Sequence, residues 1–77
     1  MDWRDRIHSD PKILSGKPVV KGTRLSVEFL LRLFGAGWTE EQVLDNYLNL
    51  KRDDLLAIFA YAAETAGEER GLTLRQR

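Results

Sequence analysis

The sequence contains no cysteine, a single histidine and no long hydrophobic run. Without cysteine, neither a disulfide nor a thiolate metal site can form, and one histidine cannot supply the usual paired metal spacings. No apolar stretch approaches the roughly 18 residues that a membrane span needs, and the charged residues 1–6 do not resemble a signal peptide. We therefore expect a cytoplasmic protein with no cofactor, no membrane association and no small-molecule substrate.

Net charge is zero, from 12 basic and 12 acidic residues, but the charges are spread unevenly. Residues 1–35 carry seven Lys/Arg against four Asp/Glu, residues 36–69 carry two against eight, and residues 70–77 add three arginines. The basic ends could meet an anionic partner, whereas the acidic middle would repel one. A domain that binds nucleic acid over its whole surface usually has a stronger basic bias.

The length of 77 residues suits one domain, residues 1–77. A domain of this size buries only about 60–65% of the surface of its unfolded chain, so it gains stability from a partner. We expect both ends, residues 1–6 and 72–77, to be flexible, although Trp3 could fold back onto the domain, and the remainder to fold as one unit.

The most informative stretch, residues 16–25, joins an extended first part of the chain to a helical second part. Gly16 and Gly22 can adopt the positive φ that tight turns need. Pro18 fixes its own φ and cannot donate to a strand ladder, and the two valines after it are β-branched and suit a short strand. The chain then changes direction at residues 22–24 and enters a helix.

This stretch resembles the signature of a bacterial family known as domain of unknown function 433: Gly-Lys-Pro, two apolar residues, one spacer and Gly-Thr-Arg. The motif residues that shape the turn are Gly16, Pro18, Gly22, Thr23 and Arg24, and flanking residues agree from about Ile7 to Ala62. The resemblance implies a small helical, homeodomain-like module. Such modules are often encoded beside a PIN-like nuclease, as the antitoxin of a toxin–antitoxin pair. The sequence departs from the family pattern at two positions, with Leu48 in place of a proline and Lys51 in place of a helix-capping threonine.

The predicted fold is mainly α, with a short N-terminal β-ribbon over residues 7–25 and a three-helix, helix-turn-helix-like bundle over residues 26–70. Residues 12–14 and 18–20 are expected to form the two arms of a hairpin, and residues 7–8 a further short strand. The first helix should start at Ser26, whose hydroxyl can accept from a free amide of the first turn, and stop at Gly35.

The second helix has the clearest local signature. Thr39 and Gln42 occupy the N-cap and N3 positions of a capping box, and Trp38 and Val43 have the spacing of a hydrophobic staple. A third helix follows after a short connector, and acidic residues in its first turn complement the helix dipole.

Five basic residues are candidates for contact with a partner or with DNA: Lys17, Lys21, Arg24, Lys51 and Arg52. Those in the ribbon have two open interpretations. They protect an exposed strand edge against pairing with another chain, or they contact an acidic protein or DNA phosphate. For Arg24 we expect a structural role, because the fixed fork of a guanidinium suits hydrogen bonds to carbonyls of the connector.

The third helix is apolar over more of its circumference than the stripe of little more than 100° that a surface helix usually needs. Its interface candidates lie in two adjoining rows: Leu55, Leu56, Phe59, Ala62, Ala63 and Ala66. The excess would leave an exposed apolar patch. A homodimer would cover it, because a twofold axis lets one patch pack against itself, but a protein partner such as a toxin could do the same.

Helices two and three also have the order of a helix-turn-helix. A recognition helix normally presents polar and basic residues near its start, but residues 53–56 are two aspartates and two leucines. Aspartates repel phosphates and leucines cannot read hydrogen-bond patterns on base edges. Direct reading of DNA by this helix is therefore not favoured.

No catalytic constellation is visible in the sequence, so we expect a non-enzymatic protein-binding module. By resemblance, it is the antitoxin that neutralises a PIN-like ribonuclease in a type II toxin–antitoxin pair. The alternative is a DNA-binding transcriptional regulator, for instance of its own operon.

Overall fold

A computed structural model describes residues 2–67. Its elements are two antiparallel strands, β1 (Ile7–His8) and β2 (Val19–Val20), and three helices, α1 (Val27–Gly35), α2 (Glu40–Asn46) and α3 (Arg52–Gly67). The predicted class, mainly α with a short N-terminal ribbon, is confirmed. None of the helices in residues 2–67 has the length and apolar composition that would take it across a bilayer.

The ribbon pairs other residues than the sequence predicts. Ile7 lies opposite Val20 and His8 opposite Val19, whereas residues 12–14 form no strand. The chain turns at a 3₁₀ segment, Leu14–Gly16, in which both non-glycine residues have left-handed φ values of 49° and 57°. Burial explains the choice, because Ile7 is only 3% exposed in this pairing and adds to the core, while residues 12–14 stay half-buried or exposed.

One hydrophobic core joins the ribbon to all three helices. Its largest completely buried side chains are Leu30, Leu55 and Ile58. The core residues are Ile7, Val20, Val27, Leu30, Val43, Leu50, Leu55, Ala57 and Ile58. Val27 and Leu30, the two buried residues of α1, place one face of this helix in the core.

The start of α1 agrees with the sequence, but its end does not. Ser26 is the N-cap, and its Oγ accepts from the N–H of Phe29 at 3.0 Å. Gly35, predicted to stop the helix, is its last helical residue. The left-handed residue is Gly37, with a φ of 99°, and the N–H groups of Gly37 and Trp38 close the last turn in a Schellman pattern.

Residues 2–6 are not the free end that the sequence predicts. A 3₁₀ segment, Trp3–Asp5, lies against α3. The Trp3 ring meets Tyr61 edge-on with centroids 4.8 Å apart, and its Nε1 donates to Glu64 at 3.0 Å. Arg4 also donates to Glu64, at 2.9 Å. An aromatic pair and a shared carboxylate fix this segment, and the other end predicted to be flexible, residues 72–77, lies outside the described residues.

Candidate partner-binding surface

The turn between β2 and α1 is closed by Gly22 and Thr23. Gly22 has a φ of 83°, and Gly16 at the start of the motif has 85°, so the positive φ predicted at both glycines is confirmed. The Thr23 hydroxyl donates to the Val20 carbonyl at 2.8 Å and accepts from the Leu25 N–H at 3.0 Å. These bonds satisfy the backbone of the turn from within and leave its basic side chains exposed.

Arg24 does not brace the connector, contrary to the prediction. Its side chain is exposed and makes no hydrogen bond or ion pair within residues 2–67. Thr23 supplies the local bonds instead. A short threonine side chain loses less rotamer freedom than an arginine when it is fixed beside the backbone, so the threonine is the better brace for so tight a turn.

Lys17, the first cation of the motif, is engaged within the chain. Its Nζ lies 3.3 Å from Oε1 of Glu28, whose Oε2 accepts from Arg32 at 2.7 Å. The hydrogen bond and charge of Lys17, followed by the charge of Arg32, lower the pKa of Glu28. Lys17 therefore has a defined structural role, whereas Lys21 and Arg24 have no ion-pair partner in the described part of the chain.

Lys21 and Lys51, two of the five predicted contact residues, both line a polar cleft of about 560 Å³. Residues of the N-terminal segment, the β2–α1 turn and the start of α3 line it: Asp5, Arg6, Lys21, Asn49, Lys51, Asp53 and Asp54. Neither ammonium group has an ion-pair partner among residues 2–67. The fold thus places two free cations beside one concave surface, which Lys17 and Arg24 do not line.

The wall of this cleft holds a nearly buried carboxylate. Asp54 is 7% exposed; its Oδ1 accepts from Nη1 of Arg6 at 3.0 Å, and its Oδ2 accepts from the backbone N–H of Lys51 at 2.9 Å. Arg6 also reaches Asp53 at 3.5 Å. Sequence reasoning missed Arg6, whose partner is 48 positions away. The available signal was Asp54 itself, three positions after Lys51, where a capping box has its acidic member.

Arg52, the remaining predicted contact residue, is committed to α2. Its Nη1 lies 3.1 Å from Oε1 of Glu40 in an exposed ion pair. The start of α3 therefore presents Lys51 as its free cation, together with the exposed Asp53. Among residues 2–67, no group of three or more His, Cys, Asp or Glu side chains is arranged to hold a metal ion.

The six interface candidates on α3 divide into three environments. Leu55 is completely buried and belongs to the core of its own chain, so its assignment to a partner interface is wrong for this fold. Phe59 is half-buried and packs against Phe34, with ring centroids 5.0 Å apart. Ala62 is half-buried, and Leu56, Ala63 and Ala66 are exposed. The exposed apolar surface of α3 is thus smaller than the sequence predicts, because the core of the same chain buries part of this helix.

A second depression, beside α1, is apolar. It has a volume of about 370 Å³ and is lined by Pro18, Val27, Glu28, Leu31, Arg32 and Tyr61. Tyr61 reaches it from α3, so the groove lies where β2, α1 and α3 approach each other. Sequence patterns did not single out this surface, because its residues come from three separate segments.

Comparison with known proteins places the chain in a family. The profile described as "Protein of unknown function (DUF433)" matches residues 7–62, more than half of the chain. This chain belongs to the DUF433 family. A crystal structure of a DUF433 member protein from Anabaena variabilis is similar to it, with a TM-score of 0.77 and 25% sequence identity. The similarity covers 84% of this chain and 64% of that chain, so this DUF433 chain spans less than two thirds of its solved relative. A search of curated proteins gives no match.

Proposed function

We propose that this DUF433 protein is a non-enzymatic, cytoplasmic protein-binding module that acts as the antitoxin of a PIN-like ribonuclease. The observation that carries the proposal is the polar cleft, where the free cations Lys21 and Lys51 face a common space. An acidic surface, such as that around the metal site of a PIN-like nuclease, would offer carboxylates to these two ammonium groups.

The chemistry of the cleft suits a protein carboxylate. Lys21 and Lys51 are exposed and come from different segments of the chain, so a carboxylate that enters the cleft would be attracted by both. Arg6 is paired with Asp53 and Asp54, so its guanidinium is less available to a ligand than the two lysine ammonium groups are. Complementary charges of this kind steer association and select the partner.

The alternative function is a DNA-binding regulator. In its favour, Lys21, Arg24 and Lys51 are unpaired within residues 2–67 and could contact phosphates. Against it, Arg52 is bound to Glu40, and the exposed Asp53 lies in the first turn of α3. A recognition helix reads bases through its N-terminal residues, and a carboxylate there repels the DNA backbone. We therefore favour the protein partner.

The binding test uses a PIN-like nuclease encoded beside the gene for this protein. Calorimetric titration should show binding by the wild-type chain. The double variant Lys21→Glu/Lys51→Glu should bind at least about tenfold more weakly, because both charges at the cleft are reversed. Lys12→Glu is the matched control, since Lys12 is also exposed, has no ion pair within residues 2–67 and does not line the cleft.

Other outcomes separate the two functions. Equal affinities for the double variant and the control would remove the cleft from the interface. No binding to the nuclease, combined with a salt-dependent shift of the protein's own promoter fragment, would favour the regulator instead.

We also propose that the protein is a homodimer. A domain of this size gains stability when a partner covers apolar surface, and the exposed positions of α3 and the groove beside α1 both offer such surface. A twofold axis would cover one patch with its own copy.

A further inference from the structure

The apolar groove beside α1 carries one charge of each sign on its rim. Glu28 and Arg32 lie one helical turn apart on α1, and both line the groove. Their side chains are 52% and 74% exposed and form an ion pair of 2.7 Å. Between them in sequence lies Leu31, a half-buried apolar residue of the groove.

The charges on α1 are complementary to those on a second α1 that runs in the opposite direction. If two α1 helices pack antiparallel about a twofold axis near residue 30, Glu28 of each copy lies opposite Arg32 of the other. Both pairs then form at once, since a twofold interface repeats every contact. The intrahelical pair of each copy is exposed, and such pairs contribute little, so exchanging these two pairs for two intermolecular pairs is inexpensive.

We infer that the groove is the surface through which a second copy of this chain binds. The two copies pack with α1 against α1 in opposite directions, so that Leu31 of each copy lies close to the axis. The inference rests on the homodimer in the proposed function and names its surface. Pro18, Val27 and Tyr61 form the apolar floor and sides of the contact.

Tyr61 is ready for this contact before the second copy arrives. The Trp3 ring meets it edge-on at 4.8 Å, and Trp3 is in turn tied to Glu64 at 3.0 Å. A tyrosine held in place loses little further conformational freedom on association, and tyrosines are enriched among residues that dominate binding energy. The N-terminal segment thereby supports the groove from behind.

A second copy suits the groove better than the nuclease does. An acidic partner would be attracted to Arg32 and Lys17 but repelled by Glu28, whereas another α1 offers a group of opposite charge to both Glu28 and Arg32. The exposed face of α3 lacks such a pair one turn apart, because Arg52, its one cation within residues 2–67, has the apolar Leu56 one turn further on. The cleft with Lys21 and Lys51 is a different surface, so the homodimer leaves it open to the nuclease.

Charge reversal provides the test, with dimerisation measured by light scattering and sedimentation at micromolar concentration. Arg32→Glu and Glu28→Arg each place like charges opposite each other across the axis. Each should raise the dimer dissociation constant at least about tenfold. The mixture of the two variants should form a heterodimer with nearly wild-type affinity, because opposite charges face each other again.

The mixture also distinguishes the effect of contacts between the copies from the effect of like charges within one helix. Each variant keeps its unfavourable intrahelical like-charge pair in the heterodimer, so recovery can come only from contacts between copies. Failure of the mixture to associate, while both variants remain folded by circular dichroism, would overturn the inference.

A second comparison distinguishes the groove from α3. Leu31→Lys should abolish the dimer, while Leu56→Lys on the exposed face of α3 should leave it intact. The opposite result would move the interface to α3 and overturn the groove while preserving the homodimer. A wild-type monomer would overturn the groove and the homodimer, but not the antitoxin proposal, which the nuclease titration measures separately.

Discussion

Helices α2 and α3 begin in different ways. At α2, the Thr39 hydroxyl accepts from the Gln42 N–H at 3.1 Å, and the Gln42 side chain accepts from the Thr39 N–H at 2.8 Å. At α3, Lys51 stands before the first helical residue and its side chain offers no acceptor. Only the reverse bond is present there, from the Lys51 N–H to Asp54 at 2.9 Å.

The difference shows how a helix can start without a full capping box. At α3 the Asp54 N–H donates to the Lys51 carbonyl at 2.9 Å in place of a cap side chain, and a tertiary contact is added, because Arg6 donates to the other oxygen of Asp54 at 3.0 Å. The carboxylate is thereby fixed between the backbone of α3 and the N-terminal segment. The start of α2 depends on residues three positions apart, whereas the start of α3 depends on the folded chain. The start of α3 also shapes the cleft that we propose for the partner.

The largest effect on the start of α3 is expected from Asp54→Ala. We expect a loss of about 2 to 3 kcal/mol in the free energy of unfolding, because Arg6 loses its buried partner and the Lys51 N–H loses its acceptor. Urea titration measures the change. Asp54→Asn is the matched control, since an amide oxygen can keep the bond to Lys51 but not the charge pair. A loss below about 1 kcal/mol for the alanine variant would show that α3 starts independently of this carboxylate.

A smaller effect is expected at α2. Thr39→Ala should cost about 1 kcal/mol through loss of the N-cap. This cost should add to that of Arg6→Met within about 0.5 kcal/mol, because the two starts share no contact. Arg6→Met and Asp54→Asn should not be additive, since they remove the same pair. Coupling between Thr39→Ala and Arg6→Met would show that the two starts are not independent.

The smallest effect is expected from a substitution that gives α3 the same kind of N-cap as α2. Lys51→Thr should stabilise the protein by about 0.5 to 1 kcal/mol, because a threonine hydroxyl supplies the missing N-cap acceptor. The thermal midpoint should rise, and Lys51→Ser should behave similarly. No rise would indicate that the Arg6–Asp54 contact holds this helix start in a geometry that a cap cannot improve.

The same division between local and distant contacts explains which predictions were correct. The Ser26 cap and the capping box of α2 each involve residues three positions apart, and the positive φ of Gly22 is a property of one residue. The end of α1 was misassigned because two glycines lie close together, and the pattern alone does not say which of them becomes left-handed.

Tertiary packing decided the rest of the surface. Leu55 looked like an interface residue because an apolar stripe does not reveal how much of it one chain can cover. The structure buries Leu55 completely and leaves Leu56 46% exposed. The groove beside α1 and the polar cleft are each assembled from three segments, so no local sequence pattern predicts either surface.

The sequence by itself determined the family, the mainly α class and the local starts of α1 and α2, because these depend on motif spacing and on bonds between near neighbours. Only the tertiary structure decided that β1 pairs with β2, that Arg6 binds Asp54 at the start of α3, and that Lys21 and Lys51 line one cleft. The physical reason is that those contacts join segments far apart in the chain. Their formation depends on which apolar side chains share one core, and that is a property of the whole fold.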